Sequence, residues 1–170
     1  MSAVLIRRLT AADVHAFRAL RIEAMTAEPA SFGTDLLEEQ AKSVEASAAT
    51  LSETTLFGGL IEGELVGMAG FARMKPLREQ HKGTVWSMYV RASARGHGLG
   101  GRLLQAVIDH ARTEVEILSL VVVSTNTAAV ALYERHGFVR WGLEPFALKL
   151  GEGAYTTDAY YSLSLSRGAP

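Results

Sequence analysis

The chain has 170 residues, of which 48% are hydrophobic and 21% are charged, and its formal net charge is −1 at pH 7. These values are typical of a folded globular chain of one domain, placed at residues 1–170, and exclude intrinsic disorder, collagen-like repeats and coiled coil. The near-zero charge supplies no general field for a nucleic-acid backbone, so we expect no nucleic-acid partner.

The first part of the chain predicts a short strand over residues 4–9 and two amphipathic helices. A capping-box pattern opens the first helix, which runs over 10–26. Its apolar residues recur at threes and fours, and its charged residues, among them Arg21, fall towards the other side. A second apolar stripe predicts one helix over 34–51.

The rest of the chain alternates strands with helices. The predicted elements are a hairpin over 55–72, a loop over 75–83, a strand over 84–90, a helix over 99–111, a strand over 117–123, a helix over 127–136, and strands over 138–141 and 155–165. Residues 84–123 therefore form one βαβ unit.

A glycine-rich segment, Arg95 to Arg102, lies between the strand and the helix of this unit, with four glycines in the six residues 96–101. Such a turn at a helix N-terminus presents free backbone N–H groups and the positive end of the helix dipole to phosphate oxygens. A tight turn alone needs only one or two glycines. The segment therefore predicts an anion site.

Two common phosphate loops do not fit this segment. Gly96, Gly98 and Gly101 match the dinucleotide pattern G-x-G-x-x-G, but the four residues Arg91 to Ala94 lie between the strand and the glycine-rich segment. The next strand also ends in Ser124-Thr125-Asn126 instead of an acidic residue. A Walker A loop lacks its Lys-Ser/Thr pair.

Arg95, Gly98 and Gly100 fit the order Arg or Gln, two residues, Gly, one residue, Gly or Ala. This order resembles the pyrophosphate-binding motif of the GNAT superfamily of N-acetyltransferases. The later segment STNTAAVALYERHGF, with Asn126 and Tyr133, is similar to the family's second motif. The resemblance covers roughly residues 55–165, and the N-terminal helices fit the family's acceptor-binding region less specifically.

The resemblance implies an α/β fold with a mixed, mostly antiparallel twisted sheet, a splayed central parallel strand pair, and helices on both faces. It also implies that acetyl-CoA donates an acetyl group to a primary amine by direct attack, without a covalent enzyme intermediate. A small molecule or a peptide is equally compatible as the acceptor.

The resemblance further implies which residues bind the cofactor, since the strand WSMYV would pair with the pantetheine arm and the glycine segment would bind the pyrophosphate. Carried over to this chain, the cofactor-binding residues are Met88, Tyr89, Val90, Arg95, Gly96, His97, Gly98, Leu99, Gly100, Gly101 and Asn126. The asparagine is also expected to cap the helix that follows it.

Tyr133 is the expected catalytic residue, because a phenol with a pKa of about 10 suits protonation of a departing thiolate. It lies seven residues after Asn126, so both project from one helix face. The general base stays open among Glu23, Glu144, His136 and a bound water, because the strand over 84–90 has no carboxylate.

The remaining composition argues against other chemistry. The chain has no cysteine and its five histidines show no metal-ligand spacing, so we expect no metal. The N-terminus lacks the pattern of a signal peptide and no apolar run could span a membrane, so we expect a cytoplasmic location and no membrane partner. Edge strands near the C-terminus could pair between two copies, which is compatible with a homodimer.

Two alternative functions follow from the same residues. A CoA-binding sensor that has lost turnover is motivated by the missing strand carboxylate. A nicotinamide dinucleotide enzyme rests only on the G-x-G-x-x-G match, and it predicts affinity for NAD instead of acyl-CoA.

Overall fold

The computed structural model describes residues 4–166 and contains a seven-stranded sheet with the order β1-β2-β3-β4-β5-β7-β6. The strands are β1 (Val4–Arg8), β2 (Thr55–Ile61), β3 (Glu64–Arg73), β4 (Lys82–Val90), β5 (Ile117–Val123), β6 (Val139–Gly151) and β7 (Ala154–Ser164). Neighbouring strands are antiparallel except β4 and β5, which are parallel. The expected mixed sheet with a central parallel pair is confirmed.

The helices lie on both faces of this sheet, as expected. They are α1 (Val14–Ala27), α2 (Leu36–Ala41), α3 (Val44–Glu53), α4 (Leu99–Ala111) and α5 (Thr127–Arg135). Short 3-10 turns cover Ala11–Asp13, Pro29–Ser31, Leu77–Glu79 and Ala92–Ala94. One apolar core packs the sheet against α4, and a second packs the other face against α1 and α3.

The parallel pair is short and opens along its length. Strands β4 and β5 pair only through Lys82, Gly83 and Thr84, and the last pair joins Thr84 to Ser119. Beyond it, the backbone groups of β4 that point towards β5 have no strand beside them. The predicted splay is therefore confirmed, and it leaves a gap in the middle of the sheet.

Strand β4 also carries an irregularity at the place where it leaves β5. Its register with β3 shifts between Met68 and Gly70, so that Ser87 falls in a bulge. The φ of Ser87 is 54°, in the left-handed region that non-glycine residues rarely adopt. Such a bulge bends a strand and redirects its backbone groups.

The single helix predicted over 34–51 is wrong, because the chain forms α2 and α3 with a break at Lys42 and Ser43. The hydroxyl of Ser43 accepts a hydrogen bond from the backbone N–H of Ala46 at 3.1 Å. This bond caps α3 and favours a new helix start over continuation of α2. The apolar stripe runs through both helices, which is why periodicity alone did not show the break.

The loop predicted over 75–83 is also shorter than expected, because β4 begins at Lys82. The placement of Arg21 on the solvent side of its helix is wrong as well, since this residue is buried.

The last hairpin is much longer than the short strand predicted over 138–141. Strand β6 has 13 residues, is the edge strand of the sheet, and shifts its register with β7 around Pro145. Trp141 and Phe146 on this strand are exposed, and the φ of Phe146 is 58°. Pro145 is tolerated within this strand, because at a sheet edge its missing N–H costs no ladder hydrogen bond.

None of the helices within residues 4–166 is long and apolar enough to cross a membrane.

Core packing against α4 generates a stability prediction. Leu103 on α4 is fully buried and packs beside Gly67 of β3. We expect Leu103→Ala to lower the free energy of unfolding by about 2–5 kcal/mol, because the side chain leaves a cavity in a packed core. Urea denaturation measures this change. Leu77→Ala, at a residue that is 86% exposed, is the control and should change stability by less than about 0.5 kcal/mol.

Candidate active site at the splayed strand pair

A cleft of about 450 Å³ occupies the gap between β4 and β5. Its walls are the part of β4 after Thr84 and the part of β5 after Ser119, and its floor reaches the first turn of α4 and the face of α5. The 3-10 turn at Pro29–Ser31 and the following Phe32 close its other side. One opening in the sheet thus joins elements that are far apart in sequence.

The glycine-rich segment lies at one end of the cleft and presents backbone N–H groups there. Gly96 and Gly98 have φ values of 84° and 74°, so other residues would be strained there. The first intrahelical bond of α4 runs from the N–H of Arg102 to the carbonyl of Gly98. The preceding N–H groups of the first turn therefore have no partner in the helix, and the positive end of the helix dipole lies with them.

The cleft gathers nearly all of the residues expected from the sequence. Those that line it are Met88, Tyr89, Val90, Arg95, Gly96, Gly98, Leu99, Gly100, Gly101, Asn126 and Tyr133. His97 is exposed and does not line it. The arrangement brings the N-terminus of α4, an unpaired strand edge and a phenol into one cavity.

Arg95 is engaged by protein groups on the wall of the cleft. Its Nε donates to the carbonyl of Val90 at 2.8 Å, and its Nη2 forms an ion pair with Glu28. The guanidinium also lies over the ring of Tyr89, with its carbon 5.7 Å from the ring centre. A phosphate that contacts this guanidinium has to compete with Glu28.

Glu28 is not among the site residues expected from the sequence. It is the one carboxylate among the cleft-lining side chains of residues 4–166. The helix end does carry it into the cleft, because α1 stops at Ala27 and the chain then turns at Pro29. A carboxylate next to a helix-ending proline is a weak signal, and no motif in the sequence raised it.

Tyr133 projects from α5 and its hydroxyl has no hydrogen bond to any residue in the described part of the chain. The side chain is only 6% exposed, and its ring packs edge to face on Phe138 at 5.9 Å. Burial raises the pKa of Tyr133 well above its ordinary value. The hydroxyl is therefore protonated at neutral pH and free to donate into the cleft.

Asn126 caps α5, as expected. Its Oδ1 accepts a hydrogen bond from the N–H of Ala129 at 3.2 Å, while the residue also lines the cleft. Capping and contact with the cleft thus occur together, and the two positions, Asn126 and Tyr133, share one face of α5.

The three side chains considered as general bases do not line the cleft. Glu23 is bound by Arg91, with 2.8 Å between Oε2 and Nη2, and its pKa is lowered chiefly by hydrogen bonds from this arginine. Glu144 accepts a hydrogen bond from Tyr160. His136 has its Nδ1 2.8 Å from the carbonyl of Leu132.

A buried polar network contacts the bulge of β4 from the face of the sheet that carries α1 and α2. Arg21 donates from Nη1 to the hydroxyl of Ser87 at 2.8 Å, and its Nε lies 2.9 Å from Oε1 of Glu39 on α2. The guanidinium lies between the rings of Phe32 and Trp86, at 5.9 and 5.6 Å. The network connects α1 and α2 to the strand that forms one wall of the cleft.

Within the part of the chain that the structure describes, no group of three or more His, Cys, Asp or Glu side chains could hold a metal ion.

Comparison with known proteins gives one family. The sequence profile of the acetyltransferase (GNAT) family matches residues 17–138. L-methionine sulfoximine/L-methionine sulfone acetyltransferase from Pseudomonas paraeruginosa is 37% identical over 111 residues, which span 64% of each chain. The match thus leaves about a third of that relative uncovered.

Solved structures share the fold. The acetyltransferase of GNAT family from Streptococcus pneumoniae superposes with a TM-score of 0.85 at 22% identity, over 95% of this chain and 99% of that one. The structure of yncA from Salmonella typhimurium with its cofactor acetyl-CoA also gives a TM-score of 0.85, at 21% identity, over 99% of this chain and 98% of that one.

The network below β4 generates a pH prediction. Burial alone would raise the pKa of Glu39, but hydrogen bonds from Lys42 and Arg21 outweigh it and lower this pKa below its usual value. A lowered pKa means that the ionised form stabilises the fold fully above the unfolded pKa of about 4.3. This stabilisation is lost as the pH falls through the lower folded value.

We therefore expect Glu39→Gln to destabilise the protein by about 3 kcal/mol at pH 7, because it leaves Arg21 buried beside a neutral group. The difference from wild type should shrink as the pH falls below about 4. Urea unfolding at pH 7 and pH 3.5 measures both values. Glu53→Gln, on the exposed end of α3, removes the same charge as a control, and an equal loss in that variant would contradict the assignment.

Proposed function

The chain belongs to the acetyltransferase (GNAT) family, and from this premise we propose that it transfers an acetyl group from acetyl-CoA to a primary amine of a small molecule or a peptide. The observation that carries the proposal is the cleft at the splayed pair, which has free amides of α4 at one end and Tyr133 on its side. A long cofactor with an anionic diphosphate and an uncharged pantetheine arm fits such a cavity in both charge and shape.

Binding of the cofactor is assigned to backbone groups. The free N–H groups at Gly98, Leu99, Gly100 and Gly101 would hold the diphosphate oxygens at the helix N-terminus. The unpaired edge of β4, from Met88 to Val90, would hydrogen-bond the pantetheine amides as a missing strand would. This division explains why glycines lie at one end of the cleft and apolar strand residues along it.

Arg95 would contact the diphosphate only after exchanging its ion pair with Glu28. The pair is partly exposed, so its contribution is at most about 1 kcal/mol and a doubly charged ligand can displace it. The Arg95 side chain is therefore proposed as an auxiliary contact, and the loop amides as the main one.

The transfer reaction requires removal of a proton from the amine, stabilisation of the developing oxyanion and protonation of the departing thiolate. The amine nitrogen attacks the thioester carbon, the N–C bond forms and the C–S bond breaks, and the amine loses one proton while the thiolate gains one. Backbone N–H groups near Met88, turned by the Ser87 bulge, would hydrogen-bond the developing oxyanion. Tyr133 would hydrogen-bond the departing sulfur and pass its proton to it, because its raised pKa keeps the hydroxyl protonated at neutral pH, and it would regain a proton from water in the cleft.

Water is proposed as the carrier of the amine's proton. Glu23, Glu144 and His136 do not line the cleft, and the first two are held by protein hydrogen bonds. Carbonyl groups on the unpaired edge of β4 can hold a water chain at the open side of the cleft. The same relay delivers the proton to solvent.

The acceptor is proposed only as an amine-bearing compound. The relative from Pseudomonas paraeruginosa is named for L-methionine sulfoximine and L-methionine sulfone, both of which carry an α-amine, so these two compounds belong in the first screen. The absence of cysteine from the sequence suits the cytoplasm as the proposed compartment.

Ligand binding tests the proposal without an acceptor. At about 100 times Kd, acetyl-CoA and CoA should each stabilise the protein by roughly 2.7 kcal/mol, which is a rise in Tm of about 5–11 °C for a chain of this length. NAD should leave Tm unchanged. Thermal unfolding with each ligand measures the shifts. A rise with NAD alone would refute the proposed donor, whereas binding without thiol release across an amine screen would favour a CoA sensor.

The acid role of Tyr133 generates a second prediction. Tyr133→Phe should lower kcat by about 100-fold or more and leave the Kd of CoA within about twofold, because the hydroxyl acts only on the departing thiolate. Ring packing against Phe138 is retained in this variant. Thiol-release kinetics and calorimetry measure the two quantities, with Tyr155→Phe, which changes an exposed phenol, as the control. An unchanged kcat would remove Tyr133 from this role.

A further inference from the structure

A buried carboxylate without a partner lies on the strand next to the cleft. Asp158 on β7 is 9% exposed, its Oδ1 is enclosed, and no side chain of residues 4–166 hydrogen-bonds or ion-pairs with it. Burying a charge without a partner is unfavourable, so such a group in a folded protein calls for an explanation, such as a ligand or a catalytic role. The proposed acetyl transfer does not use Asp158.

The strand register shows which side of the sheet Asp158 faces. It pairs directly with Val123 of β5 and with Glu144 of β6, and residues paired in this way point to the same face. Leu120 and Val122 face the core under α4, so Val123 and Asp158 face the side of the sheet that carries α1. Val123 also lines the cleft.

A second carboxylate makes this region strongly negative. Glu144 lies beside Asp158, and the hydroxyl of Tyr160 donates a hydrogen bond to it. This hydrogen bond, burial and the negative charges of both carboxylates raise the pKa of Tyr160. Glu144 thus has a protein donor and Asp158 has none, and no Lys, Arg or His in the described part of the chain forms an ion pair with either.

The same turn that closes the cleft also covers this region. Residues Pro29–Ser31 contact both β5 and β6, the two strands on either side of β7, so the turn crosses over β7. Ser31 at its end lines the cleft. Asp158 therefore lies one strand away from the cleft wall, beneath the turn that closes the cleft.

We propose that Asp158, with Glu144 beside it, binds a second cationic group of the acceptor, so that the preferred acceptor is a diamine whose other nitrogen is acetylated. The inference rests on the proposed acetyl transfer. Neighbouring paired strands lie about 4.8 Å apart. The middle of the cleft lies at least one and a half such spacings from β7, because β4 and β5 are splayed there, so the two nitrogens should be at least about 7 Å apart. A five-carbon chain has this reach.

The reacting nitrogen is a different one from the nitrogen held by Asp158. A carboxylate beside an ammonium raises the pKa of that ammonium and keeps it protonated, which prevents attack. The distance between β7 and the cleft keeps the two nitrogens apart. The nitrogen beside Asp158 stays protonated, and the nitrogen in the cleft loses its proton and attacks the thioester.

Three acceptors of similar length test the proposal. We expect kcat/KM for cadaverine to exceed that for pentylamine and for δ-aminovalerate by about tenfold or more, because only cadaverine places a second ammonium at Asp158. In Asp158→Asn this preference should fall to within about twofold, through a higher KM for cadaverine, while the Kd of CoA stays unchanged. Asp109→Asn, which neutralises an exposed carboxylate on α4, is the matched control and should keep the preference.

Stability gives a second readout. Replacing an unpaired buried carboxylate by its amide should leave Tm unchanged or raise it, since a charge without a partner is removed. A fall in Tm would indicate a structural role and overturn the proposal, as would equal rates for the three amines or a preference that survives in Asp158→Asn. Failure of the wild-type protein to bind CoA would instead refute the proposed function itself.

Discussion

The site depends on the loss of pairing between β4 and β5 after Thr84 and Ser119. Adjacent parallel strands form hydrogen bonds between their backbone N–H and C=O groups. An opening between two such strands leaves these donors and acceptors in need of another partner. Here the opening coincides with the first turn of α4, where a second set of backbone donors is also free. Both sets face one cavity, and the chain supplies neither with a partner of its own.

The opening is stabilised from both faces of the sheet. On one face, α4 packs into the larger apolar core and fixes the position of the glycine segment. On the other, Arg21 links α1, Glu39 of α2 and the bulge at Ser87 through buried hydrogen bonds. Removing one partner of a buried ion pair leaves the other charge uncompensated, so this network favours the arrangement in which Arg21, Glu39 and Ser87 meet. The left-handed backbone at Ser87 is thus held by a partner from a distant part of the chain.

Much of this architecture could be predicted from the sequence because it depends on local patterns. The glycines at 96 and 98 are required by positive φ, and Asn126 caps α5 by a bond three residues away, so both signals lie within a few residues of the feature that they produce. The family motifs connect these signals to the splayed sheet. The order of the strands and helices after residue 55 was therefore predicted correctly, and the errors concern where β4 begins and how long β6 is.

The features that the sequence did not show depend on contacts between distant residues. Arg21 is on the polar side of its helix by periodicity, yet it is buried because Glu39 and Ser87 pair with it across 18 and 66 positions. Glu28 and Asp158 are likewise ordinary acidic residues in the sequence, and only the packing of the Pro29–Ser31 turn and the register of β7 place them at the cleft and beside it. The break at Ser43 was missed for a local reason, since its capping hydroxyl competes with an uninterrupted apolar stripe.

Strand β6 carries a consequence for behaviour at high concentration. A long, flat, apolar edge invites strands from other molecules to add to the sheet, and this edge has exposed Trp141 and Phe146. Pro145 has no N–H to offer, and the left-handed backbone at Phe146 turns the following groups out of line. Pro145 and Phe146 thus interrupt this edge near its middle, so a strand from another molecule cannot pair along its whole length.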